Sequence, residues 1–207
     1  MSAPAHTPDF VIVRHGNTFE AGEIPRRIGA RTDLPLTTAG WAQGAALGAH
    51  FAGQGWRFAQ VLVSPLARTR HTAEAMLRHL PGSPTPETCD WLREIDHGPD
   101  ENMSEDQVLA RIGAPALAAW DQRALPPPGW IVDAEARMAA WRTLFSQKAA
   151  SNRNSTLLVT SNGAARFALL AAGLEVASGL KLAPGAFGVI CKGPDGRLDV
   201  AEWGTRP

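Results

Sequence analysis

Three times along the chain a short apolar run rich in β-branched residues gives way to a segment of helical composition, and this alternation restricts the fold more than any other feature. The runs are residues 9–13, 58–63 and 155–160. Strands that alternate with helices pack as a largely parallel sheet, because each parallel crossover needs a helix-length connection that then covers one face. The expected fold class is α/β, a three-layer sandwich with a mostly parallel central sheet and helices on both faces.

Punctuation divides the remainder. Residues 17–35 carry glycines, prolines and Arg26, Arg27 and Arg31 with little periodicity, and read as loop. Thr37 and Thr38 offer an N-cap for a helix to about Gly53, whose glycines oppose its apolar Trp41, Ala45, Leu47 and Phe51. Ser64-Pro65 reads as a helix start, serine capping and proline at the first position, with the helix running to about Leu80. Beyond the break at 81–86, residues 88–95 read as a strand. The middle, to Ala150, reads as helical in two pieces divided by Pro126-Pro127-Pro128-Gly129. A helix over 163–172 and a closing hairpin, 187–192 with 198–203 around Pro194-Asp195-Gly196, complete the reading.

The 207 residues, 44% hydrophobic and 19% charged, match one globular core, so a single domain over 1–207 is expected, with residues 1–8 a loose N-terminal tail. Twenty basic residues balance twenty acidic ones, which removes any global field for nucleic acid or a membrane surface. An anion site must then be local. No secretory signal or membrane-length apolar run is legible, and the expected location is cytoplasmic. Cys89 and Cys191 lack metal-ligand spacing and read as reduced packing residues.

In open α/β sheets ligands gather outside the carboxyl ends of the strands, and three such ends carry polar chemistry. The first presents Arg14-His15-Gly16. An arginine can clamp phosphate with a forked permanent charge, a neutral histidine can attack phosphorus, and glycine lets the backbone approach. Asn17 and Thr18 add donors. The second, residues 64–74, puts Arg68 in the first turn of a helix beside free amides and the positive dipole end. The third reads Val159-Thr160-Ser161-Asn162-Gly163.

Arg-His-Gly-x-Thr after the first strand, Asp33-Leu34-Pro35-Leu36-Thr37 with Gly40, and residues 64–74 together resemble the histidine phosphatase (phosphoglycerate mutase-like) superfamily, from Phe10 to about Ala73. The resemblance implies a phosphohistidine on His15, phosphoryl oxygens held by Arg14 and Arg68, and a leaving group protonated by Glu94. Glu94 rests on Leu92-Arg93-Glu94-Ile95-Asp96-His97-Gly98, in which Asp96 is the rival acid. Where the family shows a second His-Gly this chain has Asn162-Gly163, and no histidine follows His97. Asn162 reads either as a neutral phosphoryl ligand or as a helix cap. His97 reads either as a replacement imidazole or as an ordinary packed ring.

The resemblance implies a phosphomonoester hydrolase that takes a small-molecule phosphate ester with no metal and no cofactor. The alternatives are a weakly active or non-catalytic phosphoester-binding protein of the same fold and a phosphoglycerate mutase. Arg26, Arg27 and Arg31 either reach a second anionic group or serve solubility, and the oligomeric state is left open.

Overall fold

The computed structural model describes residues 8–147 and 155–207. The strands are β1 (Phe10–Arg14), β2 (Phe58–Val63), β3 (Glu87–Thr88), β4 (Ser155–Thr160), β5 (Phe187–Lys192) and β6 (Leu198–Thr205). The helices are α1 (Thr38–Gly53), α2 (Ala67–Leu77), α3 (Glu105–Arg123), α4 (Ala134–Ser146) and α5 (Asn162–Ala172). One six-stranded sheet has the order β3-β2-β4-β1-β5-β6. Its first four strands run parallel, and β5 and β6 are added antiparallel, as the alternation of strands and helices predicts.

Side-chain alternation makes the three layers. Val11, Val13, Val61, Val63, Leu157 and Val159 point to the side covered by Leu47 and Phe51 of α1 and by Ala73 and Met76 of α2. Phe10, Ile12, Leu62 and Leu158 point to the other, against Trp141, Leu144 and Phe145 of α4 and Phe167 and Leu169 of α5. No helix among the described residues is long and apolar enough to cross a membrane.

Thr37 caps α1 as expected, its hydroxyl accepting from the Gly40 amide. The glycines that oppose this helix in isolation are what seat it. A Cβ on Gly40 would stand 2.2 Å from the Asn17 carbonyl oxygen, and one on Gly48 would stand 2.3 Å from that of Met76. Close packing against α2 and the loop after β1 thus outweighs the propensity cost.

Two expected elements differ. The second helix begins at Ala67, with Leu66 at the cap position and no side-chain cap of its own. Asp33, 34 residues upstream, takes the Ala67 amide at 2.6 Å, so the capping oxygen arrives through tertiary structure and Ser64 stays at the strand end. The strand expected over 88–95 shrinks to Glu87–Thr88, because the chain turns into a 3-10 turn at Asp90–Leu92 and then runs irregularly. The division of the middle section and the closing hairpin are found, β6 extending to Thr205. The expected helical end at 148–150 and residues 1–7 of the expected tail lie outside the described residues. Pro8, placed in that tail, is buried, and its carbonyl accepts from the Ser155 hydroxyl.

Candidate active site

Strands β1 and β4 are central neighbours, paired in parallel through Arg14↔Thr160, so the residues that follow them emerge side by side at one sheet edge. A cavity of about 580 Å³ opens there. Its wall includes Arg14, His15, Gly16, Asn17 and Thr18 from the end of β1, Glu94 and His97, and Asn162, Gly163 and Arg166 of α5.

His15 is buried, and its Nδ1 lies 2.8 Å from the Gly16 carbonyl oxygen. A carbonyl only accepts, so in the neutral ring Nδ1 carries the proton and Nε2 holds the free lone pair. Burial, then the charges of Arg68 and Arg14, push the imidazole well below its ordinary value of 6.5, against a weaker opposing pull from the Gly16 bond. At neutral pH the ring is an uncharged base with one nitrogen available. Gly16 itself is tied down, its amide donating to Thr72 Oγ1 at 3.1 Å.

Arg14 donates through Nη1 to the Leu182 carbonyl at 2.6 Å, while its Nε is buried without a partner. Burial lowers its pKa to about 10, partly countered by Glu94, so it stays charged at neutral pH. Arg68 is placed differently from Arg14. Its side chain is fully buried and absent from the cavity wall, with Nη1 and Nη2 given to the carbonyls of Thr32 and Gly29 at 2.7 and 3.1 Å. Its charge still reaches His15, whose pKa it helps to lower.

Glu94 is buried, with one oxygen accepting from the Ile95 amide at 2.9 Å and the other from the Gly163 amide at 3.1 Å. Gly163 makes this possible, because a Cβ there would stand 2.1 Å from Glu94 Oε1. The rival Asp96 faces elsewhere, pairing with Arg31 at 3.0 Å and capping the Gly98 amide at 2.7 Å. Arg31 is thus held outside the cavity, whereas Arg26 and Arg27 line it.

Asn162 is not the cap of α5, a position held by Ser161. Its Oδ1 accepts from the Leu182 amide at 2.9 Å, which assigns the oxygen and leaves Nδ2 for the cavity. His97 lines the cavity and also packs edge-on against Trp130 at 4.6 Å, its Nδ1 3.7 Å from Glu101 Oε2. Trp91 packs against Trp141 instead of facing the site; the indole in the wall is Trp120.

Sequence reasoning missed Arg166 and Ser161. Arg166 is the one charge in the otherwise apolar run 163–172, and that break in pattern was the available signal. Ser161 leaves β4 beside His15, and its Oγ is buried without a partner; an isolated serine carries no such signal. Among the described residues no group of histidine, cysteine and acidic side chains is arranged to hold a metal.

A profile of the histidine phosphatase superfamily (branch 1) matches residues 10–190. Over 121 residues the chain is 31% identical to a 2,3-bisphosphoglycerate-dependent phosphoglycerate mutase of Rhizobium etli, a stretch that is 58% of this chain and 57% of that relative. The chain therefore spans little more than half of that relative's length. Among solved structures, a mycobacterial glucosyl-3-phosphoglycerate phosphatase superposes with a TM-score of 0.77 at 20% identity, over 97% of this chain and 100% of that one. A protein of Thermus thermophilus superposes with a TM-score of 0.63 at 29% identity, over 87% and 92%.

Proposed function

The chain belongs to the histidine phosphatase superfamily, and from that premise we propose that it is a phosphomonoester hydrolase working through a phosphohistidine on His15. The observation that supports this most is the His15 ring, held by Gly16 so that its free nitrogen is Nε2 and kept neutral by burial and by the charges of Arg68 and Arg14. Nε2 attacks phosphorus, the ester P–O bond breaks, and the leaving oxygen takes a proton from Glu94. A water then attacks phosphohistidine, returns its proton to Glu94 and releases inorganic phosphate. Arg14 neutralises oxygens at the cavity wall, Arg68 adds its charge from outside that wall, and Asn17, Thr18 and Gly163 shape the rim. The reaction as written needs no metal.

Asn162 stands at the position we assign to the family's second histidine. A neutral amide there gives one hydrogen bond in place of a charge-assisted one, at a cost of about 1 to 2 kcal/mol, or roughly ten- to thirtyfold in rate. That residue favours a second reading, a phosphoester-binding protein with little turnover. The similarity to a mutase favours a third, in which the phosphoryl group passes to another alcohol and not to water.

One experiment separates them. Phosphate release from a generic monoester in the presence of a chelator, with acid-labile label trapped on His15, is the expected result, and His15→Ala abolishes both. Full activity in His15→Ala overturns the hydrolase reading, and saturable ester binding with no trapped label selects the binder. Label that leaves only to an added alcohol selects the mutase.

A further inference from the structure

Five cations line the cavity, and most are accounted for. Arg27 reaches Glu105 at 2.5 Å and Lys181 reaches Asp121 at 2.6 Å, while Arg26 is solvated. Arg14 already has its place beside His15. Arg166 remains, and no part of its side chain is exposed.

Arg166 stands one turn after Asn162 on α5, which puts both on the same face of the helix. Its Nη1 donates to the Trp120 carbonyl at 2.7 Å, its Nε reaches the Asn162 carbonyl at 3.5 Å, and its guanidinium lies 4.0 Å above the Trp120 ring. Nη2 is buried with no partner. Among the described residues no carboxylate comes within salt-bridge distance of it. Burial lowers its pKa to about 10, with Glu94 pulling the other way, so the group is a cation at neutral pH.

A buried, unpaired guanidinium with a spare donor is costly to maintain. Tethering α5 to α3 does not require it, because the bond to the Trp120 carbonyl could be made by a neutral amide. What a neutral side chain cannot supply is charge at the cavity wall. We propose that Arg166 contacts the transferring phosphoryl group, Nη2 donating to a phosphoryl oxygen, so that Arg14 and Arg166 grip it from two sides. This rests on the phosphate-ester reading above. The planar fork pinned on Trp120 suits the task, since stacking and the Nη1 bond fix its orientation before the anion arrives.

The test uses inorganic phosphate, which has no leaving group, and 4-nitrophenyl phosphate, whose leaving group bears no further anionic substituent. Calorimetric titration with phosphate should show at least tenfold weaker binding in R166Q, with a comparable or larger fall in kcat/KM for the ester. R166K, which keeps the charge but loses the fork, should fall between R166Q and the parent. Phosphate affinity and ester turnover within twofold of the parent in folded R166Q overturn the proposal. So does a loss confined to esters whose leaving group is itself anionic, because the guanidinium then serves that group. If R166Q does not fold, R166K decides, and unchanged phosphate affinity there overturns the proposal. His15→Ala keeps the two claims apart: normal turnover in it sinks the phosphohistidine while leaving the Arg166 contact standing, and loss of turnover there with normal R166Q sinks only the contact.

Discussion

His15 enters the cavity as a base that resists protonation, and the stability of the protein should record that resistance. The unfolded chain takes up a proton at this residue near 6.5, whereas burial and the charges of Arg68 and Arg14 hold the folded residue well below that value. Between the folded and unfolded values the unfolded state binds more protons, so stability falls as pH falls through 6.5, by at most about 1.4 kcal/mol per pH unit from this one group. Urea midpoints measured from pH 7.5 to pH 5 should drop more steeply in the parent than in His15→Gln, and parallel curves would refute the assignment. The residues of the pocket were legible in the sequence to the degree that their roles are local. Arg14, His15 and Gly16 adjoin one another and follow a readable strand. Arg68 was found, but the direction of its side chain depends on carbonyls of Gly29 and Thr32, almost forty residues away, which no local pattern encodes.

At the scale of elements, the segment that backs Arg68 is pinned by one carboxylate. Glu101 Oε1 accepts from the amides of Gly29 and Arg31 and from the Thr32 hydroxyl, and Oε2 accepts from the His97 amide. Burial would raise its pKa, but the nearby His97 ring and the hydrogen bonds from the Thr32 hydroxyl and the backbone amides of His97 and Arg31 prevail and hold it at about 2. Its contribution is therefore present above the ordinary value of 4.5 and is lost as pH falls from there toward 2. Glu101→Ala should lower stability at pH 7 by about 2 to 4 kcal/mol in chemical denaturation, through donors left unpaired. The difference from the parent should narrow in acid. The strands and helices that periodicity identifies, β1, β2, β4, α5 and the closing hairpin, are those whose patterning is self-contained. The expected strand at 88–95 failed because its apolar Trp91, Leu92 and Ile95 serve a 3-10 turn and an irregular run packed under α4 and α5, where residue type alone does not distinguish the conformations. The start of α2 moved because its cap comes from Asp33, beyond the reach of a sequence window.

Across the whole molecule the parallel order has a cost in time. The strand that leads into His15, β1, has as its sheet neighbours among the described residues only β4 and β5, roughly 145 to 180 residues later in the chain. Contacts so distant close large loops before they return any stabilisation, which slows folding. In pulsed hydrogen exchange during refolding, amides of Val11, Ile12 and Val13 should gain protection together with those of β4 and β5, and later than those within α1. Protection of β1 ahead of β4 would contradict this. During synthesis on a ribosome the same arrangement leaves an apolar strand with both edges unpaired until residue 160 has emerged, and with one edge open until residue 190 has followed. His15 and the groups of α5 across the cavity from it meet only once β4 and α5 have followed, so a chain released before them carries every residue of the Arg14-His15-Gly16 motif and has no pocket.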